Sequence, residues 1–355
     1  MKKHNFSAGP CILPQQVFKE ASSSIINFNN LDLSLIEISH RSVDFVAVME
    51  EAVELVKELL EVPSGYSVLF LQGGASMEFL MVAINLMKVN GKAGYLDTGA
   101  WSTKAIKEAK LFGNTQILAS SKDKNYSYIP KDYTIPSDLN YFHCTSNNTI
   151  FGTQIKAFPI TNVITVCDMS SDIFSKKIDV SKFDLIYAGA QKNLGPAGTT
   201  LVIIRDEILG HTGREIPSML DYKTHIAKDS MFNTPPVFPI YVSMLTMRWL
   251  KENGGVSWIE KINQQKADLI YQTIDNSSIF EGSANVEDRS TMNATFLITN
   301  KELEKEFDKL CANGGINGLK GHRSVGGYRA SMYNAMPLES IQALIEIMNE
   351  LERKI

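Results

Sequence analysis

The pattern of the 355 residues predicts an α/β fold, a mostly parallel sheet with helices on its faces, followed by a smaller α+β unit. Three observations carry this expectation. Apolar runs of strand length alternate with helix-period segments through the first part of the chain. Several of those runs end in small-residue, glycine-bearing turns. Beyond a pair of helices separated by glycines, strand and helix signals mix within a shorter stretch. A mass of 39.5 kDa also exceeds what one hydrophobic core usually supports, so two domains are expected.

Met1 to Pro14 reads as an irregular arm, with Pro14 suited to open the helix in "PQQVFKEASSSIINF". "SHRSVDFVAVMEEAVELVKELLEV" spaces Val46, Met49, Val53, Val56 and Leu60 as a helix does, and Pro63 with Gly65 stops it. Val68 to Leu71 is a buried strand, Gly73 and Gly74 a tight turn, and a helix starts near Ser76. "KAGYLDTGAWSTKAIKEAKLFG" repeats the scheme, with Trp101 at the helix start. Strands follow in "LNYFHCTSNNTIFG", in "NVITVCDMSSDIFS" up to Asp168, in "FDLIYAGAQKNLG" before Lys192, and in "GTTLVIIRDEIL". Arg214 to Pro239 reads as loop. One helix, a glycine break and a long second helix come next, and that second helix suits a bridge into another domain. "NATFLIT", the charged helix "NKELEKEFDKLCANG", a possible strand "YRASMY" and a helix from about Pro337 complete the chain.

Charge and cysteine usage exclude several classes. Lys and Arg number 35 against 39 Asp and Glu, so no concentrated basic field marks a nucleic-acid surface. No apolar stretch approaches the length that spans a bilayer, and a polar stretch rather than a signal core follows the first lysines, so a cytoplasmic setting is expected. Cys11, Cys144, Cys167 and Cys311 form no close pair, which reads as free thiols and no metal site.

Ligands of open α/β sheets collect beyond the carboxyl ends of strands, and four groups fall there. "QGGAS", Gln72 to Ser76, is either a packing turn or a phosphate cradle made from free N–H groups at a helix start. Trp101 is either a core tryptophan or a face on which a flat ring stacks. Asp168 is either a helix cap or a carboxylate that keeps a buried ring nitrogen protonated. Lys192 is either a solvated turn lysine or an amine for a Schiff base. Together they match what pyridoxal phosphate requires: an acid at the ring nitrogen, a lysine at the aldehyde and an anion cradle.

"NFSAGP", "SHRS", "QGGAS", "TGAWS", "SNNTIFG", "YAGAQKNLGPAG", "NTPP" and "GHRSVGGYRASMYNA" are distributed over essentially the whole chain. In combination they resemble the phosphoserine aminotransferase branch of the class V, fold-type I aminotransferases. The resemblance implies a seven-stranded, mostly parallel sheet. It implies an arm over residues 1–15 that joins the small domain, a large cofactor-binding domain over 16–255 and a small α+β domain over 256–355. It implies one pyridoxal 5'-phosphate per subunit, in a Schiff base to Lys192, with Asp168 at its nitrogen and Trp101 stacked on its ring. Ala75, Ser76 and Gln191 then serve its phosphate, and Thr149 its polar edge. Asn233 and Thr234 reach the phosphate of a partner subunit's cofactor, which requires a homodimer. His40, Arg41, His322 and Arg323 surround the substrate phosphate, and Arg329 clamps the α-carboxylate. The implied reaction converts 3-phosphohydroxypyruvate and L-glutamate to O-phospho-L-serine and 2-oxoglutarate, in serine biosynthesis. Phosphorylated 4-hydroxythreonine, of vitamin B6 synthesis, is a second substrate of the family.

One departure stands out. Many relatives carry arginine directly after the glycine turn, where this chain has Ser76, so the substrate phosphate must rely on the other basic groups. Three rival readings make distinct demands. A serine–glyoxylate transaminase would lack the phosphate pocket. A cysteine desulfurase would need a mobile nucleophilic cysteine, for which Cys311 is the only late candidate. A non-catalytic metabolite-binding protein would not need Lys192.

Overall fold

The computed structural model describes residues 3–355; Met1 and Lys2 of the predicted arm lie outside the described residues. We number the ten strands of its two principal sheets. The large sheet holds β1 (Tyr66–Leu71), β2 (Lys92–Asp97), β3 (Asn114–Ser120), β4 (Tyr141–Thr145), β5 (Thr165–Asp168), β6 (Leu185–Gly189) and β7 (Thr200–Arg205). Their spatial order is β1-β7-β6-β5-β4-β2-β3. The β2–β3, β2–β4, β4–β5 and β5–β6 pairs are parallel, whereas β7 runs antiparallel to both of its neighbours.

Helices cover both faces: α1 (Gln15–Ile26), α2 (Val43–Leu59), α3 (Gly74–Leu86), α4 (Ala100–Ala109), the short α5 (Tyr222–Ile226), α6 (Val237–Glu252) and α7 (Gly255–Asp275). Strand alternation sorts the side chains. Val68 and Phe70 of β1, with Ile186 and Ala188 of β6, join the core of α1, α2 and α6. Leu69 and Leu71, with Leu185 and Tyr187, join the core of α3 and α4. Burying each such large apolar side chain contributes about 1.5–3 kcal/mol.

A third core lies around β8 (Phe280–Gly282), β9 (Asn293–Ile298) and β10 (Tyr328–Ser331), an antiparallel sheet backed by α8 (Glu304–Asn313) and α9 (Leu338–Arg353). The bridging helix α7 enters two cores, with Val256 and Ile259 in the first and Ala267, Ile270 and Ile274 in the third. The N-terminal segment joins the third core as well: Phe6 is buried there, and His4–Asn5 pairs in parallel with Ile316–Asn317.

Local differences from the sequence reading have physical causes. Pro14 sits extended before α1 rather than inside it (φ −60°, ψ 140°). The α3 helix starts two residues before Ser76, because Gly73 adopts φ 95° and turns the chain directly into it. The loop expected over 214–239 contains α5, whose cap residue Asp221 accepts from Lys223 N at 3.0 Å. The edge strand β3 is absent from the sequence reading; its "NTQILAS" is half polar and partly exposed. No described helix is long and apolar enough to cross a membrane. Among the described residues no group of three or more His, Cys, Asp or Glu is placed to hold a metal ion.

Candidate active site

The parallel strands point their carboxyl ends to one edge of the large sheet, and the groups singled out in the sequence follow from that edge. The glycine turn follows β1, Trp101 follows β2, Thr149 follows β4, Asp168 ends β5 and Lys192 follows β6. Local sequence explains each position: an apolar run ends, small residues permit a sharp turn, and a polar group is left at the rim.

The turn bearing Lys192 is held from several sides. Leu194 N and Gly195 N both donate to Ala190 O, at 3.2 and 2.7 Å. Gly195 is required by close approach, since a Cβ there would meet Ser243 Oγ of α6 at 2.3 Å. Asn193 donates to Ile173 O at 2.6 Å and accepts from Asn334 N at 2.9 Å. From the N-terminal segment, Cys11 N donates to Gln191 O at 3.2 Å, and the Cys11 thiol donates to Lys192 O. Burial pushes that thiol up to about 12, so it is a neutral donor.

Lys192 Nζ donates to Thr149 Oγ1 at 3.0 Å and lies 5.1 Å from the centre of the Trp101 indole. The residue keeps some solvent exposure, yet desolvation holds its ammonium down to about 8 from 10.5. Asp168 opposes that shift and Arg329 reinforces it.

Asp168 is buried at the end of β5, paired in register with Tyr187 and Thr145. Its Oδ1 accepts from Ser170 N at 2.9 Å. Burial pushes the carboxyl above the usual carboxylate range, offset in part by Lys192 and by that hydrogen bond. Behind it, His143 Nε2 and the Tyr187 hydroxyl lie 2.8 Å apart. Burial holds His143 down to about 3, so the imidazole is neutral.

Trp101 stands in the first turn of α4, which buried Asp97 anchors by accepting from Thr103 Oγ1 at 3.0 Å and Ser120 Oγ at 2.8 Å. Lys104, one turn further along α4, places Nζ 4.5 Å from the same indole centre. Across the cleft, Arg329 on β10 donates from Nη1 to Thr149 O at 3.4 Å. His322 sits near it, with Nδ1 2.6 Å from Ser324 Oγ. Partial burial lowers His322 from its usual value, and Arg329, Arg323 and Lys104 lower it further.

The structure therefore brings Lys192, Thr149, Trp101, Asp168 and Arg329 together, with His322 near Arg329 and exposed Arg323 next to it in the chain. The remaining candidates lie further out. Ala75 and Ser76 occupy the start of α3, with Ser76 exposed. Gln191 turns its amide back toward Gly189, where a Cβ would meet Oε1 at 2.7 Å. Asn233 and Thr234 are exposed and bond to Gln72 of the same chain, at 3.4 Å and 2.6 Å. His40 and Arg41 precede α2; Arg41 is exposed, and neither makes a hydrogen bond or ion pair to the groups around Lys192. His40 Nε2 is buried without a hydrogen-bond partner among the described residues.

Sequence reading missed Lys104, Cys11 and the His143–Tyr187 pair. Only Lys104 left a signal, its i,i+3 spacing from Trp101 on one helix face. Cys311, the thiol a desulfurase would need, is buried in the third core, and burial raises it to about 12.

These residues fit pyridoxal phosphate. The Trp101 Nε1 and Arg329 Nε atoms are buried without hydrogen-bond partners among the described residues. A flat polar ligand between α4 and β10 accounts for such unspent donors. An amine held near 8 is nucleophilic at neutral pH, and a buried acid raised by desolvation is suited to a cationic ring nitrogen. Gly73 and Gly74, at φ 95° and 66°, open the start of α3 toward an anion.

Comparison with known proteins places the chain. The family described as Aminotransferase class-V matches residues 3–344. A phosphoserine aminotransferase of Flavobacterium psychrophilum is 68% identical, over 100% of each chain. The structure of phosphoserine aminotransferase from Bacillus circulans subsp. alkalophilus is 45% identical, covers 99% of each chain and superposes with a TM-score of 0.97. That of PLP-bound phosphoserine aminotransferase from Trichomonas vaginalis is 34% identical, over 98% of this chain and 100% of that one, with a TM-score of 0.94. By sequence, by fold and by the groups gathered at the sheet edge, this chain belongs to the phosphoserine aminotransferases, a branch of the class V, fold-type I aminotransferases.

Proposed function

We propose that the chain transfers an amino group from L-glutamate to 3-phosphohydroxypyruvate, forming O-phospho-L-serine and 2-oxoglutarate, with pyridoxal 5'-phosphate linked to Lys192. One observation carries the reading: a depressed amine and a half-buried guanidinium converge on Thr149, with Lys192 Nζ on its hydroxyl and Arg329 Nη1 on its carbonyl. On this reading Lys192 is the proton-transfer group and Arg329 the carboxylate clamp, the pair that transamination of α-amino acids requires.

When bound, pyridoxal phosphate supplies an aldehyde that condenses with amines and a conjugated ring that accepts the electrons left by proton loss at the substrate α-carbon. The chain's own groups do the rest. Lys192 Nζ would take the proton from the substrate α-carbon and, once protonated, would serve as the acid. In the cofactor-free chain desolvation already lowers its ammonium to about 8, which favours the neutral, proton-accepting form. Asp168 supplies the fixed negative charge that holds a ring nitrogen protonated. Trp101 offers a stacking face, and Thr149 orients the Lys192 amine. The first turn of α3, with Ala75 and Ser76, and Gln191 serve the cofactor phosphate. Arg329 grips the α-carboxylate common to both amino acids. Both substrates use one pocket in turn, so kinetics are ping-pong.

The same reading includes a homodimer in the cytoplasm. Exposed Asn233 and Thr234 are the groups we assign to the partner subunit's cofactor phosphate, and an isologous interface completes both sites at once. His40, Arg41, His322 and Arg323 are assigned to the distal anion of the substrate. We assign 16–255 to a large cofactor domain and 256–355 to a small one, with the 1–15 arm joined to the latter. Phosphorylated 4-hydroxythreonine carries the same two anionic ends and is included as a second substrate.

The test is a visible spectrum of the purified holoprotein before and after adding O-phospho-L-serine. The band of the lysine-linked cofactor should fall. A spectrum that responds to glutamate but not to O-phosphoserine, with turnover on glyoxylate, would replace this reading by that of a glyoxylate transaminase.

A further inference from the structure

The cleft around Trp101 gathers more positive charge than the α-carboxylate clamp needs. Lys104, Lys192, Arg323 and Arg329 border it, and none forms an ion pair with a carboxylate among the described residues. Uncompensated cations on facing elements make an anion site. Lys192 is committed to the cofactor and Arg329 to the α-carboxylate. Partial burial lowers His322, and its cationic neighbours Arg329, Arg323 and Lys104 lower it further. Ser76, at the glycine turn, brings no charge.

A phosphate dianion at the far end of the substrate carries more charge than a carboxylate, and Arg323 on the facing loop is the one cation of this cleft already assigned to it. Lys104 is placed by the fold to join it. It stands one turn after Trp101 on α4, so its ammonium overhangs the indole at 4.5 Å while the facing loop carries His322 and Arg323. A flexible stem with three donors lets it leave the indole for an oxyanion.

We propose that Lys104 is a specificity-determining residue that binds the phosphate of the phosphorylated substrate. The proposal rests on the phosphoserine reading above. It adds a cation from α4, beside the Arg41 and Arg323 already assigned to this subsite, where the glycine turn with Ser76 offers none. Glutamate's side-chain carboxylate, with a single charge, uses Lys104 less than a dianion does.

The experiment compares holoenzyme of wild type, Lys104→Gln and Lys104→Arg in the two separate half-reactions, with O-phospho-L-serine and with L-glutamate. In Lys104→Gln, kcat/KM for O-phosphoserine should fall about 10- to 100-fold through KM, and that for glutamate by a clearly smaller factor. Lys104→Arg should restore most of the loss. A readout independent of turnover is inorganic phosphate binding to the holoenzyme, followed by the NMR resonance of His322. Lys104→Gln should weaken that binding by a similar factor and raise the pH at which His322 titrates. Equal losses on both amino acids, or none on O-phosphoserine, overturn the proposal while leaving the substrate reading intact. A wild-type enzyme inert to O-phosphoserine yet reactive with glutamate overturns both.

Discussion

Lys192 Nζ donates to Thr149 Oγ1 at 3.0 Å, joining the turn after β6 to the turn after β4. A buried hydroxyl thus holds the amine at the centre of the sheet edge. In most loops a lysine side chain extends to water; here desolvation depresses its ammonium to about 8, with Asp168 opposing the shift and Arg329 adding to it.

Replacing that amine separates chemistry from folding. Lys192→Ala should lower transamination by about 10³-fold or more. Far-ultraviolet circular dichroism should be unchanged, because the neighbouring backbone bonds of Ala190, Asn193 and Cys11 do not use the amine. Borohydride reduction of the holoprotein followed by peptide mapping checks the assignment directly. A label on another lysine would sink it.

The protonation of Lys192 sets a pH dependence. Only the neutral amine attacks an aldehyde, so cofactor uptake by the cofactor-free chain should speed up as pH rises through about 8 and then level off. Asp168 raises this value and Arg329 lowers it. Asp168→Asn should therefore move the midpoint down, and Arg329→Gln should move it up. Stopped-flow uptake across pH 6 to 11 measures both shifts; a wild-type midpoint near 10.5 would mean a solvated lysine.

Asp168→Ala removes the buried carboxyl that the proposed function sets against the ring nitrogen. Cofactor retention should weaken and both half-reactions should slow, by about 10²-fold if the pair stabilises the protonated ring by two to three kcal/mol. Dialysis with absorbance readings and single-turnover kinetics follow the two effects. Unchanged half-reaction rates would contradict the pairing.

Arg329→Ala should raise KM for glutamate and for O-phosphoserine alike, by about 10- to 100-fold, because both present an α-carboxylate. Steady-state kinetics with each partner varied in turn will show it. A change confined to glutamate would reassign the guanidinium to the distal end.

A buried group away from the chemistry gives a stability test. Lys266 on α7 is fully buried, donates to Met332 O, Tyr333 O and Met336 O at 3.0, 2.8 and 3.3 Å, and is held down to about 7 by burial. Its folded value lies below its unfolded one of 10.5, so the unfolded chain binds the extra proton between those limits. Stability from this group therefore rises with pH across that window, by up to about 1.4 kcal/mol per pH unit. The stability of wild type relative to Lys266→Met should climb from pH 7 to 10 in urea titrations. A difference that stays flat would mean that the amine is charged throughout.

Residue chemistry at strand ends is written locally, and so it was legible. Apolar runs identify buried strands, glycine pairs identify the turns after them, and an aspartate or lysine left at such a turn is conspicuous against its apolar flanks. Asp168, Lys192 and Trp101 could be named for this reason. What needed the folded chain is non-local. The edge strand β3 lacks an apolar signal because one side of it has no neighbour. The reversed direction of β7 is invisible in composition, since either direction buries the same side chains. The arc formed by Lys104, His322 and Arg329, the Cys11 contact to the Lys192 carbonyl, and the burial of Lys266 all join residues distant in sequence. Such proximity is created when the cores close, because packing, and not local propensity, decides which charged groups share a low-dielectric cleft.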